Sequence, residues 1–166
     1  MFELKRLTQE GIAAALKKAE QYRLLNEPRQ AESICLDVLE VAPDSQPALV
    51  LLLLARTDQF ARELGAGVER ARELLPRLVG DYEQAYYAGI VCERWGKAKL
   101  TRGHPGSGEM AYDWLRKAMS LYEKAERFRP PGNDDALLRW NNCARIIMNH
   151  DHVEPGSDRH FEPLLE

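Results

Sequence analysis

The chain has 166 residues, 45% apolar, 30% charged and 8% aromatic, with a formal net charge of −3. That length suits one domain or two small ones with a buried core, and the mild acidity excludes the basic footprint of a nucleic-acid-binding protein. The longest apolar run, Leu49 to Ala55, is far short of the roughly 20 residues of a membrane-spanning helix. The start, Met1-Phe2-Glu3-Leu4-Lys5-Arg6, has no apolar h-region behind it, so a cytoplasmic protein with no membrane partner is expected.

Helical periodicity governs the whole chain. After Thr8, which can cap, Ile12, Leu16, Ala19 and Tyr22 recur at three- and four-residue steps, the signature of a first helix. Asn26-Glu27-Pro28 interrupts it, with Pro28 placed for the first turn of a second helix that carries Ala31, Ile34, Cys35, Val38 and Leu39 and stops by Pro43. Pro47 opens a third, from about Gln46 to Phe60. A fourth spans about Gly67 to Val79, with Pro76 predicting a kink or early end. The fifth starts near Asp81 and holds Tyr86, Ile90, Val91 and Trp95. Its end is open: Gly96 is a stop signal, yet Lys97 to Leu100 can extend it. Arg102 to Gly108 is rich in Gly and Pro and predicts a loop. The sixth helix, about Glu109 to Phe128, shows Leu115, Ala118, Met119, Tyr122 and Ala125 on one face. Pro130-Pro131-Gly132 ends it, and Asn133 caps a seventh with the stripe Leu137, Trp140, Ala144 and Ile147. No stretch alternates with period two, so the expected class is all-α.

Internal spacing then sets the architecture. Ala31-x3-Cys35-x2-Val38-x4-Pro43 and Ala118-x3-Tyr122-x2-Ala125-x4-Pro130 share one frame, and Ala71-x3-Leu75-x2-Leu78 keeps it with Glu83 in place of the proline. A small residue lets two helices approach, larger ones fill the next layers, and proline ends the helix. The frame resembles the second helix of the tetratricopeptide repeat, Ala-x3-Phe-x2-Ala-x4-Pro. The first helix of that repeat, Trp-x2-Leu-Gly-x2-Tyr, is matched in part by Ala85-x2-Ala88-Gly89-x2-Cys92, by Trp140-x2-Cys143-Ala144-x2-Ile147 and by Ala15-x2-Lys18-Ala19-x2-Tyr22. Leu49-x2-Leu52-Leu53-x2-Arg56 matches least. The resemblance covers about Gly11 to Asn149, with extra residues around Gln59 to Gly67 and from Gly96 to Gly108. The resemblance implies a tetratricopeptide-like right-handed superhelix of antiparallel hairpins with seven helices. Its hairpins would cover about 8–43, 44–80 and 81–130, a capping helix 133–150, all in one domain 1–150 followed by an acidic tail, 151–166. The bland counterpart is an ordinary antiparallel bundle.

The residues capable of chemistry read mostly as structure. Cys35, Cys92 and Cys143 form no CxxC and lie in apolar patterns, as buried reduced thiols do. His150, His152, Glu154, Asp158 and His160 are metal-ligand types, but a tail with Pro155-Gly156 predicts a solvated segment with no metal. The glycines of 103–108 lack the Lys-Ser/Thr of a phosphate loop, and no nucleophile elbow is present. No enzyme activity and no cofactor are expected. Arg94, Lys97, Lys99 and Arg102 form a basic run, read as a solvated face or as a weak partner of the acidic tail.

Arrays similar to this one bind peptides or helices of other proteins in a groove lined by their first helices. Transferred residue by residue, the resemblance implies a groove of Glu20, Arg23, Val50, Leu54, Tyr86, Ile90, Asn141 and Arg145. A carboxylate-clamp co-chaperone is not implied, because Leu16, Glu20, Glu83 and Tyr87 stand where lysine and asparagine would be needed. The expected function is a protein-interaction module or adaptor. The alternative is a dedicated chaperone for a secreted substrate, and the partner protein or peptide is unnamed by the sequence. A homo-oligomer is compatible with either.

Overall fold

The computed structural model describes residues 2–62 and 66–156, and every regular element among them is helical. The α-helices are α1 (Ile12–Leu24), α2 (Pro28–Val41), α3 (Gln46–Thr57), α4 (Ala66–Arg72), α5 (Asp81–Arg102), α6 (Ser107–Glu126) and α7 (Asp135–Met148), with 3-10 turns at Gln9–Gly11 and Leu75–Arg77. None is long and apolar enough to cross a membrane.

Local chemistry explains most boundaries. The Thr8 hydroxyl accepts a hydrogen bond from the Gly11 amide at 3.2 Å, capping the first turn. Asn26 takes a left-handed φ of 60° between α1 and α2, a conformation its short amide tolerates. Pro28 and Pro47 occupy first turns of α2 and α3, where a missing N–H costs nothing. The Asn133 side chain accepts from the Asp135 amide at 3.0 Å and so starts α7.

Three boundaries are fixed only by the structure, two left open by the sequence reading and one, the end of α3, differing from it. Helix α4 ends at Arg72, and Leu75-Pro76-Arg77 tightens into a 3-10 turn, because Pro76 has no N–H to continue an α-helix. Helix α3 stops at Thr57 rather than near Phe60, with the Thr57 hydroxyl bonded to the Leu54 carbonyl at 2.8 Å. Gly96 does not stop α5, which runs on to Arg102. A Cβ at Gly96 would lie 3.2 Å from Trp114 Cβ and 3.4 Å from the Ala111 carbonyl, so this glycine is a spacer against α6. The actual turn is Gly103 to Gly106, where left-handed φ values of 61° and 77° are met by glycine without steric cost.

Consecutive helices pack in pairs, α1 on α2, α2 on α3 and α6 on α7, and the α5–α6 contact is the most extensive. The equally spaced residues of α2 and α6 form the centre of the packing: Ala31, Cys35, Val38, Ala118, Tyr122 and Ala125 are all fully buried. Burying a ring such as Tyr122 contributes about 1.5–3 kcal/mol. Gly89 faces that ring, and a Cβ there would come within 2.4 Å of Tyr122 Cε1. One core cluster fills α1 to α4 and reaches Val91, Trp95 and Ala98; the second fills α5 to α7. Leu54, Tyr87 and Trp114 pack on both.

Trp140 is partly buried, and its indole N–H donates to Glu123 of α6 at 2.9 Å. The first tail residues are mostly exposed, but one is seated: Val153 is 3% exposed, and the His152 carbonyl sits so close to Gly108 that a Cβ there would be 1.9 Å away.

Candidate interaction face

The first helices of the hairpins are tied side by side by charged side chains. Arg23 of α1 donates to Asp58, just after α3, at 2.8 Å. Arg94 of α5 binds the other Asp58 oxygen and also reaches the Thr57 hydroxyl at 2.7 Å and the Leu54 carbonyl at 3.3 Å. One residue earlier on α5, Glu93 is fully buried. It accepts from Tyr122 of α6 at 2.6 Å, from Arg139 of α7 at 3.0 Å, from Asn142 of α7 at 3.3 Å and from Lys97 on its own helix. Arg139 also donates to the Tyr86 hydroxyl at 3.1 Å. The chain of contacts thus runs α1–α3–α5–α7.

Taking a carboxylate out of water costs several kcal/mol unless it is paired and hydrogen-bonded. Burial alone would raise the pKa of Glu93. Hydrogen bonds from Lys97 and Tyr122 and the charges of Lys97 and Arg139 outweigh it and hold the carboxyl below its usual value, so it stays ionised. For Arg139, burial works against the charge, but the facing Glu93 more than offsets it and its pKa is raised. Arg94 goes the other way: burial lowers its pKa, partly countered by Asp58, and the charges of Arg23 and Arg139 are close enough to add to the lowering.

Between these contacts lies a partly exposed apolar strip, Val50 and Leu54 on α3 with Tyr86 and Tyr87 on α5. The Tyr86 ring stacks on Tyr82 at 5.5 Å and meets Tyr87 edge-on at 5.1 Å. A cavity of about 260 Å³ opens beside Asp58 and Arg94, lined also by Phe60, Lys97 and Thr101.

Of the residues expected to line a groove, Arg23, Val50, Leu54 and Tyr86 lie along this face. Glu20 is exposed on α1. Ile90 is 2% exposed and belongs to the core, so it leaves the set of contact residues. On α7 the residues that reach α5 are Arg139 and Asn142, while Asn141 is partly buried and Arg145 exposed. The sequence reading missed Asp58, Glu93, Arg94, Arg139 and Asn142 as members of the face and named Tyr87 only as a groove position that lacks a clamp residue. Arg94 was in view within the basic run, but that run is not a solvated face. Arg94 and Lys97 bind Asp58 and Glu93, Lys99 lies 4.5 Å from the Trp95 ring centre, and Arg102 donates to the Phe60 carbonyl at 2.9 Å.

The remaining candidates lie apart from this face. All three cysteines are buried free thiols; burial pushes Cys35 to about 11 and Cys143 to about 12 and raises Cys92, which leaves thiols rather than nucleophilic thiolates at neutral pH. Among the described residues no three His, Cys, Asp or Glu side chains come together to hold a metal. His150 Nδ1 is 2.8 Å from the Ile146 carbonyl, and Asp158 and His160 lie outside the described residues. Among the described residues the tail meets the start of α6 at Gly108, where the His152 backbone lies close. Comparison with protein-family models, curated proteins and solved structures finds no match to this chain.

Proposed function

We propose that this protein is a binding module, and that the face shared by α1, α3, α5 and α7 takes a peptide or helical segment of another protein. The observation that carries the reading is the bridge Arg23–Asp58–Arg94. Its members are 35 and 36 residues apart, on or at the end of successive first helices, close to the roughly 34 residues of a tetratricopeptide unit. A side-chain contact recurring at near-constant spacing supports hairpins stacked with a constant offset, a right-handed superhelix of tetratricopeptide type. Stacked hairpins of that kind leave a long curved surface.

The chemistry of the face favours a particular partner. Four cations, Arg23, Arg94, Lys97 and Arg139, stand against two carboxylates, Asp58 and Glu93. Val50, Leu54, Tyr86 and Tyr87 supply partly exposed apolar contact. A segment with apolar anchors and an acidic residue beside them fits this balance.

Selection from a displayed peptide library against the full chain should enrich such segments. Truncating Tyr86 should weaken binding by on the order of 2 kcal/mol, but its ring also packs on Tyr82, Tyr87 and Tyr122 and its loss disturbs the fold. The decisive variant is therefore Val50→Glu, expected to weaken the selected peptide about tenfold, or about 1.4 kcal/mol, with the thermal midpoint nearly kept. Unchanged peptide affinity with a lowered midpoint would show that the strip is only core.

A further inference from the structure

Helix α7 is the last helix among the described residues, and one side of it is bare. Ala136 and Cys143 point inward at 1% and 0% exposure, while Leu138 is 60% and Met148 77% exposed on the other side. Asp134, Leu138, Arg145 and Met148, all exposed, and the partly buried Asn141 follow one another along the helix at steps of four, three, four and three. That alternation is the seam spacing of two paired helices. Leu137, 38% exposed, flanks it.

We propose that this face of α7 pairs, antiparallel, with the same face of a second copy of the chain. The argument is self-complementarity. An antiparallel two-fold pairing that sets Leu138 opposite the partner's Asn141 also sets Asp134 opposite the partner's Arg145, and symmetry repeats both contacts. A parallel pairing would instead oppose like charges, Asp134 to Asp134 and Arg145 to Arg145. Arg145 makes no ion pair among the described residues. Asp134 is bridged to Arg129 within its own chain, with both side chains about half exposed; such a pair contributes little and leaves the carboxylate open to a second cation. Antiparallel pairing also sets the opposite ends of the helix dipoles together, and the polar Asn141 in the seam disfavours slipped registers.

The contact is small. A helix of 14 residues is about 21 Å long, and one such pair falls below the about 1,200 Å² of stable complexes. The dimer is therefore a concentration-dependent equilibrium. It is independent of the proposed groove, which uses Arg139 and Asn142 on another side of the same helix.

Sedimentation velocity of the full chain, from low micromolar to submillimolar protein, tests the pairing. The wild type should shift from monomer toward dimer across the range. Leu138→Glu and Arg145→Glu should each stay monomeric while keeping the wild-type thermal midpoint, since both side chains are exposed. Combining Asp134→Lys with Arg145→Glu should restore the dimer, because symmetry rebuilds both ion pairs with reversed sign. Asp134 makes no side-chain capping bond, so this swap leaves the start of α7 intact. A wild type that stays monomeric throughout, a dimer that survives Leu138→Glu, or a well-folded double variant that fails to dimerise would each overturn the proposal.

Discussion

The second hairpin, α3–α4, and the third, α5–α6, meet the same packing demand by opposite means. In the third, two long helices approach so closely that Gly89 lies under the Tyr122 ring and Gly96 under Trp114. Apolar surface carries most of that contact, and the one charge inside it, Glu93, is saturated with donors. In the second, α4 has only seven residues and cannot cover α3 with apolar area alone. Instead Glu32 of α2 gathers Arg56 at 3.1 Å, Gln59 at 2.8 Å and Arg70 of α4, and Arg56 donates to the Arg70 carbonyl at 2.6 Å. A short helix is held by its ionic clamp; a long one is held by backbone proximity.

The largest effect should come from removing the saturated charge. Glu93→Ala leaves Arg139 facing the core without its partner and should cost about 3–5 kcal/mol in urea unfolding. The same residue gives the third hairpin an acid sensitivity. Its folded pKa is depressed, so its stabilisation is complete above the unfolded-state value of about 4.3 and is lost as pH falls through the lower folded value. Unfolding free energy followed through that acid range should fall less steeply in Glu93→Gln than in the wild type. Equal slopes would mean that Glu93 is not held ionised by its donors.

Close approach is the next term to break. Gly89→Ala should destabilise by about 1–3 kcal/mol through overpacking, and shrinking the opposing ring with Tyr122→Leu should make the double variant less destabilised than the sum. Strict additivity would place the strain elsewhere. The smallest effect belongs to the second hairpin: Glu32→Ala should cost about 1 kcal/mol, because Arg56 keeps its bond to the Arg70 carbonyl and Arg70 is 43% exposed. Added salt should narrow the gap between Glu32→Ala and wild type while leaving that of Gly89→Ala unchanged.

Which of these features could be read in the sequence follows from how far apart the interacting groups are. Ala31, Cys35 and Val38, like Ala118, Tyr122 and Ala125, announce their burial by local spacing, and prolines at first turns mark helix starts. Gly96 was ambiguous because a glycine that ends a helix and one that lets a neighbour approach look alike until α6 is in place. The Asp58–Arg94 and Glu93–Arg139 pairs span 36 and 46 residues, so nothing local distinguishes these arginines from solvated ones. On α7 the expected stripe is out of phase at its start, since Ala136 and Cys143 take the buried centre and Leu137 is 38% exposed, and which polar residues turn toward α5 depends on the phase set by the turn at 130–134. That is why Arg139 and Asn142, rather than Asn141 and Arg145, meet Glu93.

The seat of the segment after α7 has a mechanical consequence. Val153 is seated and the His152 carbonyl is pressed on Gly108 at the start of α6, so tension applied beyond residue 156 reaches that seat before it reaches α7. The segment must peel away first, and α7, held near its middle by Glu93 and Glu123, bears load only afterwards. The C-terminal seat therefore acts as a strain relief, shielding the last helix from whatever pulls on the chain that follows it.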